Sequence, residues 1–273
     1  MSSLWITSMD VFAPLYMPVL EQVQAQRIAE IGAAEGGNTR LLAEFLQARH
    51  GTLITMDPAP RGTFLQWVQS MQGTVQHLMD YSLNCIPQAG AVDAWFVDGD
   101  HNWYTVLNEL LQIDALAIRH HKPALIFMHD VGWPCARRDM YYNPATIPKQ
   151  FVQPNSNQLG LNLDKHSIAH GALIGPYWAL EEGGARNGVM TAVEDFIAQC
   201  HARYAWFYVP AILGFGVLVD ITHAHAQAIA DYFQPYHNNP LMAAVEHNRI
   251  QQYLAAHQAE QKLKAIAQFA HVD

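Results

Sequence analysis

Asp98-Gly99-Asp100-His101 and His129-Asp130 are the two places where this chain gathers groups able to do chemistry. Each joins carboxylate to imidazole. Carboxylate oxygens suit a hard divalent ion, and an imidazole beside them can take a proton near neutral pH. A cluster made of both segments needs a metal, a catalytic role, or both. The plainer alternative is that Asp98 and Asp130 only cap the turns that follow, and that His101 is an ordinary residue at a helix start.

The elements that must position them are short. Ala94 to Val97 is an apolar run ending in the first cluster, and Ala124 to Met128 is another ending in the second. Such runs suit strands buried on both faces of a parallel sheet. Between them Trp103, Val106, Leu107, Leu110, Leu111 and Ile113 recur at helical spacing. This is a β-α-β unit, so both clusters fall at carboxyl ends of parallel strands, on the rim where open α/β sheets bind ligands.

Upstream the same logic repeats. Residues 1–26 read as a helical lead-in covering one sheet face. Arg27 to Ile31 is a strand, and Glu30 to Arg40 (EIGAAEGGNTR) continues into a helix with Leu41, Leu42, Phe45 and Leu46 on its apolar side. Gly32 and Gly36 permit positive φ and a close approach of ligand to backbone. The spacing is not the dinucleotide GxGxxG, because Ala34 stands at its second glycine. Thr52 to Met56 is the second strand with Asp57 at its end, where an acid can take ribose hydroxyls, or where Asp57-Pro58 simply turns. Thr74 to Leu78 is the third, followed by Met79-Asp80-Tyr81-Ser82, which either holds a base or only turns.

Glu30-x-Gly32-x-x-x-Gly36, Asp57 after strand two, Asp80-x-Ser82 after strand three and Asp98 after strand four resemble the class I S-adenosylmethionine (SAM) dependent methyltransferases. The match covers residues 27–130. It implies a Rossmann-like seven-stranded α/β sheet with helices on both faces. It puts the turn, with Glu30, Gly32, Ala33, Gly36, Asn38 and Thr39, under the methionine part of SAM. It puts Asp57 on the ribose, and Asp80, Tyr81 and Ser82 near the adenine, and counts Asp98 among the cofactor-binding residues.

The later segments resemble the metal-dependent O-methyltransferases of natural-product sugars, the macrocin, mycinamicin and cephalosporin-hydroxylase-like group. That resemblance makes Asp98 and Asp130 ligands of a divalent metal, Mg or Mn, and His101 the catalytic base beside Asp98. His129 holds a position that is acidic in the group. As a ligand it shifts preference toward Mn, Fe, Co or Zn; otherwise it supports the ligands from behind. The chemistry is coherent with the residues. Methyl transfer from a sulfonium is an in-line displacement by an oxygen nucleophile. A metal acidifies a coordinated hydroxyl and a neighbouring imidazole takes the proton.

After strand five the pattern changes. Residues 131–190 are rich in Pro, Gly and aromatics and show no long periodic segment. We read them as an insert that folds over the rim as a lid. Arg137, Arg138, Asp139, Tyr141 and Tyr142 are the first substrate-contact candidates; His166, His170, Glu181 and Glu182 follow. Val189 to Cys200 resumes as a helix. Ala205–Val209 and Gly214–Val219 form an antiparallel hairpin that supplies the antiparallel edge strand. Residues 1–222 are then a SAM-binding methyltransferase domain, and 223–273 a C-terminal helical extension. Its stripe of Leu241, Val245, Ile250, Tyr253, Leu254, Ile266 and Phe269 covers the chain's own core or a second copy in a homo-oligomer.

Composition bounds the partners. The 273 residues include 51% hydrophobic ones, enough for a sizeable core, and net charge is −9. Without a basic run the chain suits neither nucleic acid nor an anionic membrane surface. Three scattered cysteines, Cys85, Cys135 and Cys200, fit a reducing compartment rather than a disulfide framework. The N-terminus makes a poor signal peptide and no apolar run spans a bilayer, so the sequence reads as cytoplasmic. The leading expectation is a SAM- and metal-dependent O-methyltransferase acting on a small hydroxylated molecule, a sugar of a secondary metabolite by resemblance. A metal-dependent hydroxylase or hydrolase on the same fold, or a non-catalytic SAM-binding subunit, are the rivals.

Overall fold

The computed structural model describes residues 6–71, 73–161, 167–168, 173–200 and 203–269. Seven strands form the central sheet: β1 (Arg27–Ile31), β2 (Thr52–Met56), β3 (Val75–Leu78), β4 (Ala94–Val97), β5 (Leu125–His129), β6 (Tyr204–Val209) and β7 (Phe215–Asp220). Their order across the sheet is β6-β7-β5-β4-β1-β2-β3. β1 to β5 are mutually parallel, and β7 runs antiparallel to both β5 and β6.

The order follows from what each strand can bury. All residues of β4 and β5 are buried, as two-sided strands require. Ile28, Phe96 and Phe127 face one core layer, built with α1 (Ala13–Gln22), α2 (Gly37–Gln47) and, after the sheet, α7 (Ala226–Phe233). Trp95, Val97, Ile126 and Met128 alternate onto the other layer. There α4 (Ser82–Cys85), α5 (Trp103–Arg119) and α6 (Val189–Gln199) pack, while α3 (Phe64–Ser70) precedes β3. Each fully buried Phe or Leu is worth roughly 1.5–3 kcal/mol, so the two layers hold the sheet from both sides.

One expectation is corrected. The antiparallel strand is not at the edge. β7 is buried at every position and sits inside the sheet, whereas β6 alternates buried with half-exposed residues and takes the edge, parallel to β5. Apolar content on both faces, not chain order, decides which arm of a hairpin goes inward.

The insert is built of short pieces. Met140–Tyr141, Tyr177–Ala179 and Asn155–Ser156 form a small antiparallel sheet, and Gly160–Leu161 pairs with Leu173–Ile174. His166 and His170 lie outside the described residues. The C-terminal segment is α7 and the long α8 (Pro240–Phe269). Its apolar stripe is split: Ile250 and Leu254 are buried, while Leu241 and Val245 face outward. The side chains of Ile266 and Phe269 lie outside the described ones. No described helix is long and apolar enough to cross a membrane.

Candidate active site

The glycine turn is shaped by contact between strand ends. Gly32 has φ +87°, and a Cβ there would sit 2.0 Å from the Asp98 carbonyl oxygen. Gly32 N donates to Met56 O and Asp98 N to Ile31 O, so three strand termini meet at this point. Gly36 takes the left-handed N-cap position of α2, where a Cβ would press on the Phe64 ring. Asp57 braces the turn. Its Oδ2 accepts from the backbone N–H of Ala33 (3.0 Å) and Ala34 (2.8 Å), and its Oδ1 from that of Ala59 (2.8 Å).

Glu30, Asn38 and Thr39 lie beneath the turn rather than on its open side. The buried Glu30 carboxylate accepts from Asn38 Nδ2 (2.9 Å) and Thr39 Oγ1 (2.6 Å), and Tyr16 of α1 donates to Asn38 Oδ1 (2.6 Å). Burial pushes Glu30 up to about 7 despite these hydrogen bonds, which favour its charged form. The network fixes the start of α2 against β1.

A cavity of about 560 Å³ opens in front of this turn. Gly32, Ala34 and Asp57 line one end, Tyr81 and Ser82 a side wall, and Asp98, Asp100 and Tyr142 the other end. Ala33, Gly36 and Asp80 are not among its lining residues. Asp80 instead caps its own turn, accepting from Tyr81 N (2.7 Å) and Asn84 Nδ2 (3.1 Å).

At the Asp98 end stands the acid–histidine cluster. One ligand atom each of Asp98, His129 and Asp130 lie within 4.8 Å of one another. His129 Nδ1 is 3.4 Å from Asp98 Oδ1 and 3.5 Å from Asp130 Oδ2, while its Nε2 is 3.0 Å from the Ile212 carbonyl oxygen. A carbonyl only accepts, so Nε2 carries the proton and a neutral His129 presents the Nδ1 lone pair to the carboxylates. Asp130 holds φ +54°, a left-handed conformation costly for a non-glycine residue. These features fit a divalent ion: two oxygen donors and one imidazole, converging and held from behind.

His101 completes the group. Its Nε2 is 2.8 Å from Asp130 Oδ2 and 3.5 Å from Asp98 Oδ1, though neither ring nitrogen has a well-aligned hydrogen bond. Burial, the largest single influence, disfavours its cation, but Asp130 and Asp98 together with Tyr142 outweigh it and raise its proton affinity well above the ordinary value. Burial likewise opposes, and Asp130 and Asp98 then override, at His129, which is pushed up to about 10. For Asp98 and Asp130 burial favours the neutral acid, and the two imidazoles reverse this, holding both below the usual carboxylate range.

Four of the five substrate-contact candidates do not reach the cavity. Asp139 is fully buried and accepts from Trp103 N, Gly188 N and Tyr141 OH, each at 2.7 Å, which ties the starts of α5 and α6 to the insert. Tyr141 is spent on that bond and on Gln153 N. Arg138 is buried, donates to Ala179 O and lies 3.8 Å from Glu182. Arg137 forms a bidentate pair with Glu194, outside the cavity, and Glu181 accepts from Ser167. Only Tyr142 lines the cavity, its ring 6.0 Å from that of His101 and edge-on to it. The sequence reading missed Arg61, Tyr104, Asn143, Thr146 and Ile147, which also line it. Tyr104 was findable as the second residue of a helix that starts on the rim; the 143–147 stretch carries no spacing signal.

Residues 29–131 match the family model of a methyltransferase domain. No curated protein matches the sequence. Among solved structures, the chain is similar to SAH-bound PaMTH1 of Podospora anserina, at 15% identity over 78% of this chain and 79% of that one, TM-score 0.47. It is similar to the O-methyltransferase TomG of Streptomyces achromogenes, involved in tomaymycin synthesis, at 16% identity, 81% and 83% coverage, TM-score 0.47. An O-methyltransferase of Bacillus cereus in complex with SAH gives 15% identity, 79% and 82% coverage, TM-score 0.45. The matched segment spans the glycine turn, Asp57, Asp98 and Asp130, and the sheet, with strands ordered 3-2-1-4-5-7-6 and strand 7 reversed, has the Rossmann-like fold of the class I methyltransferases.

Proposed function

We propose that the protein is a divalent-metal-assisted O-methyltransferase that moves the methyl group of SAM to a hydroxyl of a small molecule. One observation carries this reading: a single cavity runs from the glycine turn and Asp57 to Asp98, which also belongs to the acid–histidine cluster. Cofactor site and cation site are thus joined through one side chain.

Asp98, Asp130 and the Nδ1 of His129 would hold the ion. An ion bound there would acidify an acceptor hydroxyl. The chain supplies the rest. Gly32 and Ala34 line the end that would take the methionine part, and Asp57 keeps that turn in place while lining the region that would take the ribose. His101 stands beside Asp98 and Asp130 to take the hydroxyl proton at Nε2. Its high proton affinity comes chiefly from the Asp130 and Asp98 carboxylates. Positive charge held between those carboxylates would offset the effect and favour a neutral imidazole, the form a base requires. Tyr104, Tyr142, Asn143 and Thr146 offer aromatic faces and hydrogen-bonding groups that suit a hydroxylated ring, a sugar among them.

The test is SAH formation from SAM with a panel of hydroxylated acceptors, with and without EDTA followed by Mg or Mn. Methylation at oxygen that EDTA abolishes and a metal restores supports the reading. Turnover untouched by EDTA removes the metal from it, and SAM binding without turnover on any acceptor favours the non-catalytic SAM-binding rival.

A further inference from the structure

Glu109 is a charged residue type with no exposed surface at all, in the interior of the protein. It sits on α5, one turn beyond Thr105. Thr105 lines the cavity and donates to Asp100 Oδ2 (3.0 Å). Ser82, at the start of α4, which packs on α5, lines the cavity and its hydroxyl acts on the Glu109 carboxyl. Neither carboxyl oxygen has a well-aligned hydrogen bond, to Ser82 or to any other described group. Native interiors rarely leave a buried polar group in this state, and one that persists calls for an explanation.

We propose that Glu109 is a positioning residue for the nucleoside end of the cofactor: its buried carboxyl group backs Ser82, and this pair becomes fully hydrogen-bonded only when a nucleoside fills the cavity. The proposal rests on the SAM reading above and adds to it a residue that touches no ligand. A carboxyl behind a hydroxyl gives that hydroxyl a partner for one of its two roles, so Ser82 meets the ligand as a defined donor or acceptor. The neutral form matters, because an ionised Glu109 would be an acceptor only, unpaired, in an apolar layer.

The surroundings keep it neutral. Burial is the largest influence and pushes Glu109 up to about 8; the Asp100 carboxylate on the strand rim pushes the same way, while Ser82 and His101 push back. α4 and α6 both pack on α5. Among the described residues, Asp100 and His101 are the charged groups acting on Glu109. The sign follows directly. A raised folded-state proton affinity means that the competent neutral form is complete below about pH 7 and lost as pH rises through about 8.

The test is calorimetric SAH affinity of the full chain against pH, for wild type, Glu109→Gln and Glu109→Leu. Gln is neutral at every pH and keeps the shape. The expected result is that the ratio of wild-type Kd to Glu109→Gln Kd stays near one below neutrality and grows by up to about tenfold per pH unit above about pH 8. Comparing the two profiles cancels the titration of SAH itself. A merely structural Glu109 would alter thermal stability with pH in the wild type but leave this ratio constant, and a constant ratio overturns the proposal. Glu109→Leu, which neither ionises nor hydrogen-bonds, is expected to bind SAH about tenfold more weakly than wild type at neutral pH; equal binding overturns the proposal as well. If the wild type binds no SAH at any pH, the cofactor reading has failed and the proposal falls with it. That outcome differs from a constant ratio measured on a protein that does bind.

Discussion

The Nε2 of His129 lies 3.0 Å from the carbonyl oxygen of Ile212, in the turn between β6 and β7. This contact fixes the ring so that Nδ1 faces Asp98 and Asp130. A turn remote in sequence thereby decides which nitrogen of His129 is offered to a cation.

The first prediction separates ligands from base. Asp98→Asn and Asp130→Asn should abolish measurable Mn or Mg binding in calorimetry, while SAH affinity changes little in Asp130→Asn, since Asp130 does not line the cofactor cavity. His101→Ala should keep the metal and lose roughly 10²–10⁴ in kcat, the usual worth of a positioned base, with residual activity rising with pH. Loss of metal in His101→Ala would make His101 a fourth ligand, for which its 2.8 Å approach to Asp130 leaves room.

Asp57→Ala should fail in two ways at once. It removes the acceptor of three backbone N–H groups, and hydrogen bonds to charged groups are worth about 1.5–3 kcal/mol each. Thermal unfolding should drop accordingly, and SAH affinity should fall at least tenfold as the turn loosens. An Asp57→Ala variant with wild-type SAH affinity would remove Asp57 from the site.

Gly32→Ala tests the contact between strand ends. Its Cβ would meet the Asp98 carbonyl at 2.0 Å, and φ +87° is itself unfavourable for alanine. A loss of about 2–4 kcal/mol in denaturant unfolding is expected, together with lost SAH binding. Wild-type stability would show that β1 and β4 do not close this tightly.

The insert yields a contrast. Tyr142→Ala should raise the acceptor KM with little change in SAH affinity, because Tyr142 alone of the five candidates lines the cavity. Arg137→Ala should be near neutral, within about 1 kcal/mol of stability and without effect on KM, since it breaks a half-exposed ion pair with Glu194 and one hydrogen bond to Thr191, both away from the cavity. Equal KM effects from both would mean that the insert binds acceptor through another face.

The β-α-β units, the glycine turn and the acids at strand ends were legible in the sequence, because each rests on local spacing. A buried strand needs an unbroken apolar run, a left-handed turn needs glycine, and a parallel strand puts its next residue on the rim. Asp98, His129 and Asp130 could be joined from this alone. What the tertiary structure decided are relations between segments far apart in the chain. Asp57 spends its oxygens on the turn it faces, and Asp139 is drawn into the core to hold two helix starts. Tyr142 rather than its neighbour Tyr141 reaches the cavity, and β7 goes inside the sheet. In each case a buried polar group or an apolar strand had several local options, and the need to satisfy every hydrogen bond and cover every apolar face across the whole fold selected one.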